Sequence, residues 1–349
     1  MLVGAASVCA SSYIGGRADA VLRPAAGADA QAMGNANTAA PTYLMSLWNP
    51  SAVGMLEVKE RHVALGGGLR ALGRTEGVGS LEFRIPPRVG LGLSVLYRGD
   101  PKIEIYDDME NPAGSASYTT LHAKLALAYR FTRQLSIGAA LGMLYQTMPA
   151  AYIYSVNSDG QYKTRTEPSW AFSIGGIDLG ATLQLRDNLK LALVFQNFNV
   201  TADWQFSTGS GGGLDRAGSW ALNPVTVLAS SYEGRLAGKP LIWNCDLKSY
   251  LLTGSFKPID HVSATLNNGV EWRRWDTFFV RAGLSDLTFE GTMLRDRPRY
   301  LDDFTLGLSA GFSADLSRVA RGLRFNYGIA LSKALAGVDQ QMSLVYGLK

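Results

Sequence analysis

The sequence predicts an all-β fold: a 14-stranded antiparallel transmembrane β-barrel whose lumen holds the N-terminal segment as a plug. Three observations lead to this prediction, namely the composition, a two-residue periodicity, and the order of short and long connections. Only 18% of the 349 residues are charged and 39 are glycine, which is typical of membrane barrels. A large soluble β-sandwich could share this composition, so the patterning has to decide between them.

The chain begins with a candidate export signal. Residues 2–15 form an apolar stretch, and Ala18-Asp19-Ala20 supplies an A-x-A cleavage pattern, which together predict a signal peptide over residues 1–20. No run of 18 apolar residues exists, so no transmembrane helix is indicated. The predicted organisation is a signal peptide at 1–20, a plug at 21–59 and a barrel at 60–349.

From residue 60 onward, apolar and polar residues alternate with a period of two. Between Leu121 and Arg130, one face carries Leu, Ala and Tyr, and the other includes His122 and Lys124. Such alternation predicts half-buried strands, and 9 to 12 residues suffice for a tilted strand to cross a bilayer. The predicted strands are 61–69, 77–85, 89–99, 116–130, 135–146, 169–185, 189–199, 224–233, 241–252, 262–273, 277–285, 303–315, 322–332 and 340–348.

The connections are sorted by length. Links after even-numbered predicted strands are mostly short, whereas those after strands 3, 5, 7 and 11 are long, at 101–115, 147–168, 200–223 and 286–302. Outer-membrane barrels show this alternation, with short periplasmic turns and long extracellular loops. Because lipid leaves no partner for an open strand edge, we expect the last strand to pair with the first.

The strand ends and inward positions support this arrangement. Aromatic residues near predicted strand ends would form an interfacial girdle: Tyr97, Tyr129, Phe131, Tyr145, Trp272, Trp275 and Phe278. Several glycines fall on the inward phase: Gly90, Gly92, Gly138, Gly142, Gly307 and Gly311. Small inward residues leave room for an object inside the barrel, which we expect to be the first part of the chain.

Residues 21–59 lack strand alternation but carry two motifs. Gly27-Ala-Asp-Ala-Gln-Ala-Met-Gly34 is followed by Leu47-Trp-Asn-Pro-Ser-Ala-Val-Gly54. This pair resembles the N-terminal signature of the PorV/PorQ-type branch of the FadL-like outer-membrane proteins. Ser51 and Val53-Gly54 depart from the family pattern. The resemblance implies a bacterial outer-membrane barrel with a lumenal hatch, in which Trp48, Asn49 and Pro50 turn the chain from the plug into the wall.

Inward-facing charges are the candidate ligand or lumen residues. The cations on this phase are Arg84, Arg98, Lys124, Arg130, Lys190, Lys248, Arg273, Arg281 and Arg324. They either solvate the lumen and pair with the plug, or form a basic collar that favours anionic solutes or the carboxylate of an amphipathic ligand. The sequence leaves both interpretations open.

The sixth predicted strand contains a phase slip. Phe172 and Ile174 share one phase while Ile177 and Leu179 take the other, with Gly175 and Gly176 between them. A one-residue slip at paired glycines predicts a β-bulge or kink. It either serves only to curve the wall or forms a side opening into the bilayer, as the family resemblance implies.

Enzymatic, metal and nucleic-acid functions find no support in the sequence. Gly307-Leu-Ser-Ala-Gly311 matches a nucleophile-elbow pattern but lies within a strand, and all three histidines precede it. The histidines and the two cysteines have no metal-ligand spacing. No basic run is interleaved with aromatic residues, which argues against nucleic-acid binding. We therefore predict no catalytic residues, no metal and no cofactor.

Two functions remain. The first is a FadL-like channel for passive uptake of hydrophobic or amphipathic small molecules such as long-chain fatty acids. The second is a PorV-like barrel that binds partner proteins in secretion or surface attachment. Expected partners are outer-membrane lipid, a hydrophobic ligand and, for the second function, a protein. A continuous pocket leading to the slip at Gly175–Gly176 would favour transport, whereas a sealed lumen would favour partner binding.

Overall fold

The computed structural model describes residues 25–58, 60–100, 103–106, 112–149, 153–156, 162–165, 168–198, 201–207, 214–222, 224–252, 261–292, 306–332 and 337–348. The predicted signal peptide at 1–20 lies outside these residues, as do parts of the predicted long loops. Two helices, α1 (Ala28–Ala32) and α2 (Met45–Trp48), and a 3₁₀ helix, Pro50–Met55, precede the strands. No described helix is long and apolar enough to span a bilayer.

Within the described ranges, twenty strands follow. They are β1 (Arg61–Arg70), β2 (Arg74–Ile85), β3 (Val89–Gly99), β4 (Ile103–Tyr106), β5 (Pro112–Ala116), β6 (Thr119–Arg130), β7 (Leu135–Pro149), β8 (Ile153–Val156), β9 (Tyr162–Arg165), β10 (Pro168–Arg186), β11 (Leu189–Phe198), β12 (Thr201–Ser207), β13 (Leu214–Ala221), β14 (Val225–Leu236), β15 (Lys239–Leu252), β16 (His261–Trp272), β17 (Phe278–Thr292), β18 (Gly307–Asp315), β19 (Leu323–Ser332) and β20 (Gly337–Leu348). A 3₁₀ turn, Ala71–Gly73, joins β1 to β2.

Fourteen of these strands close into one antiparallel barrel, which confirms the predicted fold class. The barrel order is β1, β2, β3, β6, β7, β10, β11 and β14–β20. Closure pairs β1 with β20, from Arg61 opposite Leu348 to Leu69 opposite Gln340. Each of the 14 predicted segments coincides with a barrel strand, with ends that differ by a few residues, up to seven at the end of β17.

Three of the predicted long loops contain strands that the sequence analysis did not predict. The pairs β4–β5 and β8–β9 form separate hairpins. The β12–β13 hairpin instead adds to the barrel wall, because β12 pairs with the first part of β10, from Ser169 to Phe172. The wall is therefore taller on this side than the predicted strands alone would make it.

The apolar face of each strand points away from the lumen. Leu65 is 68% exposed and Leu125 is 57% exposed, whereas the alternating residue Ala126 is fully buried. A β-sandwich would bury the leucines between its sheets, so the arrangement is that of a barrel whose outer surface meets hydrocarbon. The predicted girdle residues Tyr129, Phe131 and Trp275 are also exposed.

Residues 25–58, hereafter the inner segment, pack inside the barrel. The Asn49 side chain donates to Thr182 Oγ1 of β10 at 2.9 Å, and the Tyr43 hydroxyl lies 2.8 Å from Ser343 Oγ of β20. The backbone amide of Thr38 donates to Asp246 of β15 at 3.0 Å. Since these three strands are spread around the barrel, the inner segment is anchored on several sides, and the buried core lies between it and the wall.

Close approach explains some of the inward glycines. A Cβ at Gly90 would lie 2.6 Å from the Val53 carbonyl carbon, and one at Gly138 would lie 2.7 Å from Ser51 N. Any side chain there would displace the inner segment. Gly92 and Gly311 also face the inner segment, whereas the nearest neighbours of Gly142 and Gly307 belong to the wall itself.

Candidate functional site

A cavity lies between the inner segment and the wall. Its volume is about 80 Å³, and its lining is mixed apolar and polar: Ala26, Thr38, Leu47, Trp48, Leu96, His122, Lys124, Gln196, Asn197, Val225, Val227, Lys248 and Tyr250. The inner segment contributes Ala26, Thr38, Leu47 and Trp48, and β3, β6, β11, β14 and β15 contribute the rest. The inward phase of five strands thus meets one face of the inner segment.

Trp48 is fixed at the edge of this cavity by its neighbours. Gln196 Nε2 donates to the carbonyl oxygens of Leu47 and Trp48, each at 3.1 Å. Lys248 Nζ lies 5.0 Å from the centre of the Trp48 ring and donates to the Asn35 carbonyl at 3.2 Å. The buried indole Nε1 of Trp48 has no hydrogen-bond partner among the described residues. The cavity wall therefore offers an aromatic residue and a cation.

Asn49 and Pro50 do form a turn, in agreement with the motif. Asn49 is the N-cap of the 3₁₀ helix, and its Oδ1 accepts from Ser51 N at 3.1 Å. Its Nδ2 also donates to the Thr38 carbonyl at 3.1 Å. These bonds link the turn to an earlier part of the inner segment, so Trp48 is presented from a fixed backbone.

A buried ion pair lies at one side of the cavity. Lys124 Nζ of β6 donates to Asp178 Oδ2 of β10, and both side chains are almost completely buried. The other carboxylate oxygen accepts from Asn197 N of β11 at 2.9 Å. The lysine charge is therefore compensated within the wall. The bonds that Lys124 and Asn197 donate to Asp178 connect β6, β10 and β11, and Lys124 and Asn197 are more than 70 residues apart in the sequence.

Next to this pair the wall contains the predicted slip. The register between β10 and β7 shifts between Ile174 and Gly176, and Gly175 has φ +113° with nothing within 4 Å of an added Cβ. That φ favours glycine and defines a bulge. The phase change read from the sequence is thus present as an extra residue in β10.

On its other edge, the pairing of β10 among the described residues is interrupted at the same place, and residues 199 and 200, which follow β11, lie outside the described residues. Its pairing with β11 ends with Ile177 opposite Phe198, and its pairing with β12 begins with Phe172 opposite Asp203. Among the described residues, positions 173–176 pair with neither strand.

A second, smaller cavity adjoins this part of β10. Its volume is about 10 Å³, and it is lined by Gly142, Leu144, Ser173, Gly176, Asp178 and Leu222, together with His122, Lys124 and Asn197. The last three residues also line the larger cavity. The two cavities are therefore neighbours that share these residues, and they lie between Trp48 and Gly176. We refer to this arrangement as the lateral path.

The other predicted lumen cations do not assemble into one collar. Arg98 binds Glu76 at 2.6 Å, and Arg281 binds Glu271 at 2.7 Å. Arg273 also pairs with Glu271, at 2.8 Å. These arginines are held by carboxylates in the wall. Of the nine predicted cations, Lys124 and Lys248 line the cavity.

The remaining cations lie at the end of the barrel that carries the short turns. Arg84 donates to the carbonyls of Leu56 and Pro87, at 3.0 and 2.6 Å. Arg130 donates to the Arg133 carbonyl at 2.6 Å. Arg324 stacks 5.1 Å from the Phe279 ring, and Lys190 is half-buried. Several of them therefore brace turns or rings rather than face the cavity.

Several lining residues were not singled out from the sequence. Gln196, Asn197, Val227 and Tyr250 lie in strands whose alternation assigns each residue a face but not a height in the barrel. Asn197 has φ +59°, and a bulge shifts the β10–β11 register beside it. Among the described residues, no cluster of three or more His, Cys, Asp or Glu could hold a metal ion.

Comparisons with known proteins find this fold in solved transporters. The toluene transporter TbuX of Ralstonia pickettii matches with a TM-score of 0.59 at 13% identity, covering 93% of this chain and 99% of that one. The Pseudomonas putida toluene transporter TodX gives the same four values. A Pseudomonas aeruginosa FadL homologue matches with a TM-score of 0.54, again at 13% identity and the same coverage. No protein-family model and no curated protein sequence matches the chain. At this identity the likeness shows the fold, and the predicted FadL-like architecture is confirmed.

Proposed function

We propose that this chain is a passive conduit in the bacterial outer membrane for hydrophobic or amphipathic small molecules. The observation that carries the proposal is the lateral path, in which two cavities that share lining residues lie between Trp48 and the bulge of β10. Ile174, beside that bulge, is 65% exposed on the outer surface. An apolar solute leaving there would enter hydrocarbon directly. The toluene transporters of the same fold support this class of cargo.

The inner segment makes a sideways exit more plausible than an axial one. It is bonded to β10, β15 and β20, so axial passage would break these contacts. A solute in the cavity would rest its apolar part against Trp48, Leu96 and the valines of β14. A polar group on it would find His122 or Lys248. It would then pass the Lys124–Asp178 pair to reach the bulge.

The size of the cavity favours small cargo in the present conformation. An apolar cavity of about 150 Å³ is known to bind benzene, whereas this one is about 80 Å³. A single aromatic ring would need a small expansion of the lining. A long-chain fatty acid would need displacement of Leu47 and Trp48, whose carbonyls accept hydrogen bonds from the Gln196 amide. Partner binding, the alternative function, is less well supported because it calls for a sealed lumen.

Uptake by living cells tests the proposal. The chain is expressed in a Gram-negative strain that lacks its own long-chain fatty acid transporter, and uptake of radiolabelled toluene, oleate and a hydrophilic sugar is measured. We expect faster toluene and oleate uptake than in cells with an empty vector, with sugar uptake unchanged. Equal hydrocarbon and oleate uptake in the two strains, with the barrel correctly assembled, would contradict the proposal.

A further inference from the structure

The end of the barrel that carries the short turns is ringed by exposed arginines. The six turns are 86–88, 131–134, 187–188, 237–238, 273–277 and 316–322. Each has at least one exposed arginine within it or within two residues of it: Arg88, Arg133, Arg186, Arg235, Arg274, Arg318 and Arg321. Arg61, at the start of β1, adds an eighth at the same end. The ring therefore follows the whole circumference rather than one side.

Carboxylates at this end do not neutralise the ring. They are Glu57, Glu60, Asp187, Glu233, Asp276 and Asp315, and three of them have other partners. Glu60 lies 3.0 Å from His62, Asp276 lies 3.5 Å from Lys239, and Asp315 accepts from Ser317. Within the described part of the chain, no carboxylate lies within 4.0 Å of a ring arginine. These guanidinium groups remain available to an external anion.

Neighbouring aromatic residues indicate the depth at which the arginine ring lies in the membrane. Tyr129 and Phe131 make an edge-to-face pair at 4.9 Å, and Trp275 packs edge-on against Phe278 at 5.7 Å. Exposed aromatic rings prefer the boundary between hydrocarbon and headgroups. Arg274 adjoins Trp275 in sequence, and its guanidinium lies 5.3 Å over the Trp272 ring. The arginines thus lie just beyond the aromatic girdle, at the level of lipid phosphates.

We infer that this arginine ring binds the phosphates of anionic phospholipids in the leaflet that surrounds the short turns. A guanidinium group presents a planar fork of donors that matches phosphate oxygens, and clustered cations at a membrane surface favour anionic lipid. A protein partner would call for a patch on one side, whereas a complete ring at headgroup depth fits an annulus of lipid. If the short turns face the periplasm, as in outer-membrane barrels, this is the phospholipid leaflet.

The test compares lipids retained by the purified full-length protein. Protein in mixed micelles with equal amounts of phosphatidylglycerol and phosphatidylcholine of the same acyl chains is analysed by native mass spectrometry. We expect a several-fold enrichment of phosphatidylglycerol, which decreases as salt is raised because the contacts are electrostatic. Equal retention of the two lipids by the wild-type protein would overturn the inference without any variant.

Variants locate the binding. A quadruple variant, Arg88→Gln, Arg133→Gln, Arg274→Gln and Arg321→Gln, should retain the two lipids about equally, while the matching Arg→Lys variant keeps most of the preference. Arg74→Gln, at the opposite end of the barrel, is the control and should change nothing. An unaltered lipid preference in the Gln variant would overturn the inference in favour of other lipid contacts. Polyglutamate that binds the wild-type protein without displacing lipid, and does not bind the Gln variant, would overturn it in favour of an acidic protein. Toluene and oleate uptake by the same variants tests the conduit separately, so that failure of the lipid-binding inference can be distinguished from failure of the proposed function.

Discussion

Substitution of Gly175 by valine tests the wall opening at the residue that creates it. At φ +113° a residue with a side chain is strained by on the order of 1–3 kcal/mol. The strain is relieved if the residue adopts an ordinary β conformation with negative φ, which keeps the extra residue in β10 but brings positions 173–176 toward the strand beside them. In an antiparallel ladder, four residues carry up to four backbone hydrogen bonds on one edge, each contributing about 1 kcal/mol.

If only two of those bonds form, the closed wall is stabilised by about 2 kcal/mol. A solute that leaves through the wall must then overcome this additional free energy. At 1.36 kcal/mol per factor of ten, release slows by roughly 30-fold. The assay is oleate and toluene uptake by cells that express equal amounts of assembled barrel, judged by heat-modifiable mobility in gels. The control is Gly77→Val, because an added Cβ there meets only Tyr97, at 3.8 Å. Uptake by the Gly175→Val barrel equal to that of the control would refute the reasoning.

Three further predictions concern buried charges. Asp178→Asn leaves Lys124 without its carboxylate in the lateral path, so oleate should bind more tightly relative to toluene; an unchanged affinity ratio in fluorescence titrations would contradict this. Glu76→Gln removes the anion shared by two buried arginines and should destabilise the barrel by about 3–5 kcal/mol, measured by urea unfolding, with the exposed-site variant Glu233→Gln as the neutral control. Burial raises the pKa of Asp29 in α1, while the charge of Arg281 acts in the opposite direction. The stability that protonated Asp29 contributes is fully present below the ordinary pKa of 3.8. It is lost as pH rises through the raised pKa that Asp29 has in the folded protein. Asp29→Asn should therefore raise the thermal unfolding temperature relative to wild type more at pH 8 than at a pH below 3.8, and an equal difference at both would refute the assignment.

The barrel could be predicted from the sequence because its wall follows a simple rule. A strand between lipid and lumen must alternate, and Leu121–Arg130 shows that alternation without interruption. The β12–β13 hairpin was predicted as loop because it lies beyond the bilayer-length segments and next to a glycine-rich stretch. There the pairing of Asp203 with Phe172, a tertiary contact, decides the structure.

The candidate site could be predicted only in part, for a related reason. Alternation indicates that Lys124 and Asp178 both face inward, but not that they lie at one height. Their meeting depends on the register of β6, β7 and β10, which includes the bulge at Gly175. Trp48 was recognised as part of a turn, yet its place in the cavity depends on bonds from Gln196, a residue that no local pattern distinguishes.

Photochemical labelling tests most directly whether the cavity and the bilayer are connected through the wall. Cells that express the barrel take up a fatty acid carrying a diazirine at its tail, and the adducts are mapped by mass spectrometry after brief irradiation. We expect adducts at Trp48, Leu222 and Ile174, which lie between the cavity and the bulge. Adducts confined to outward leucines such as Leu125 and Leu331, with none inside the barrel, would contradict it.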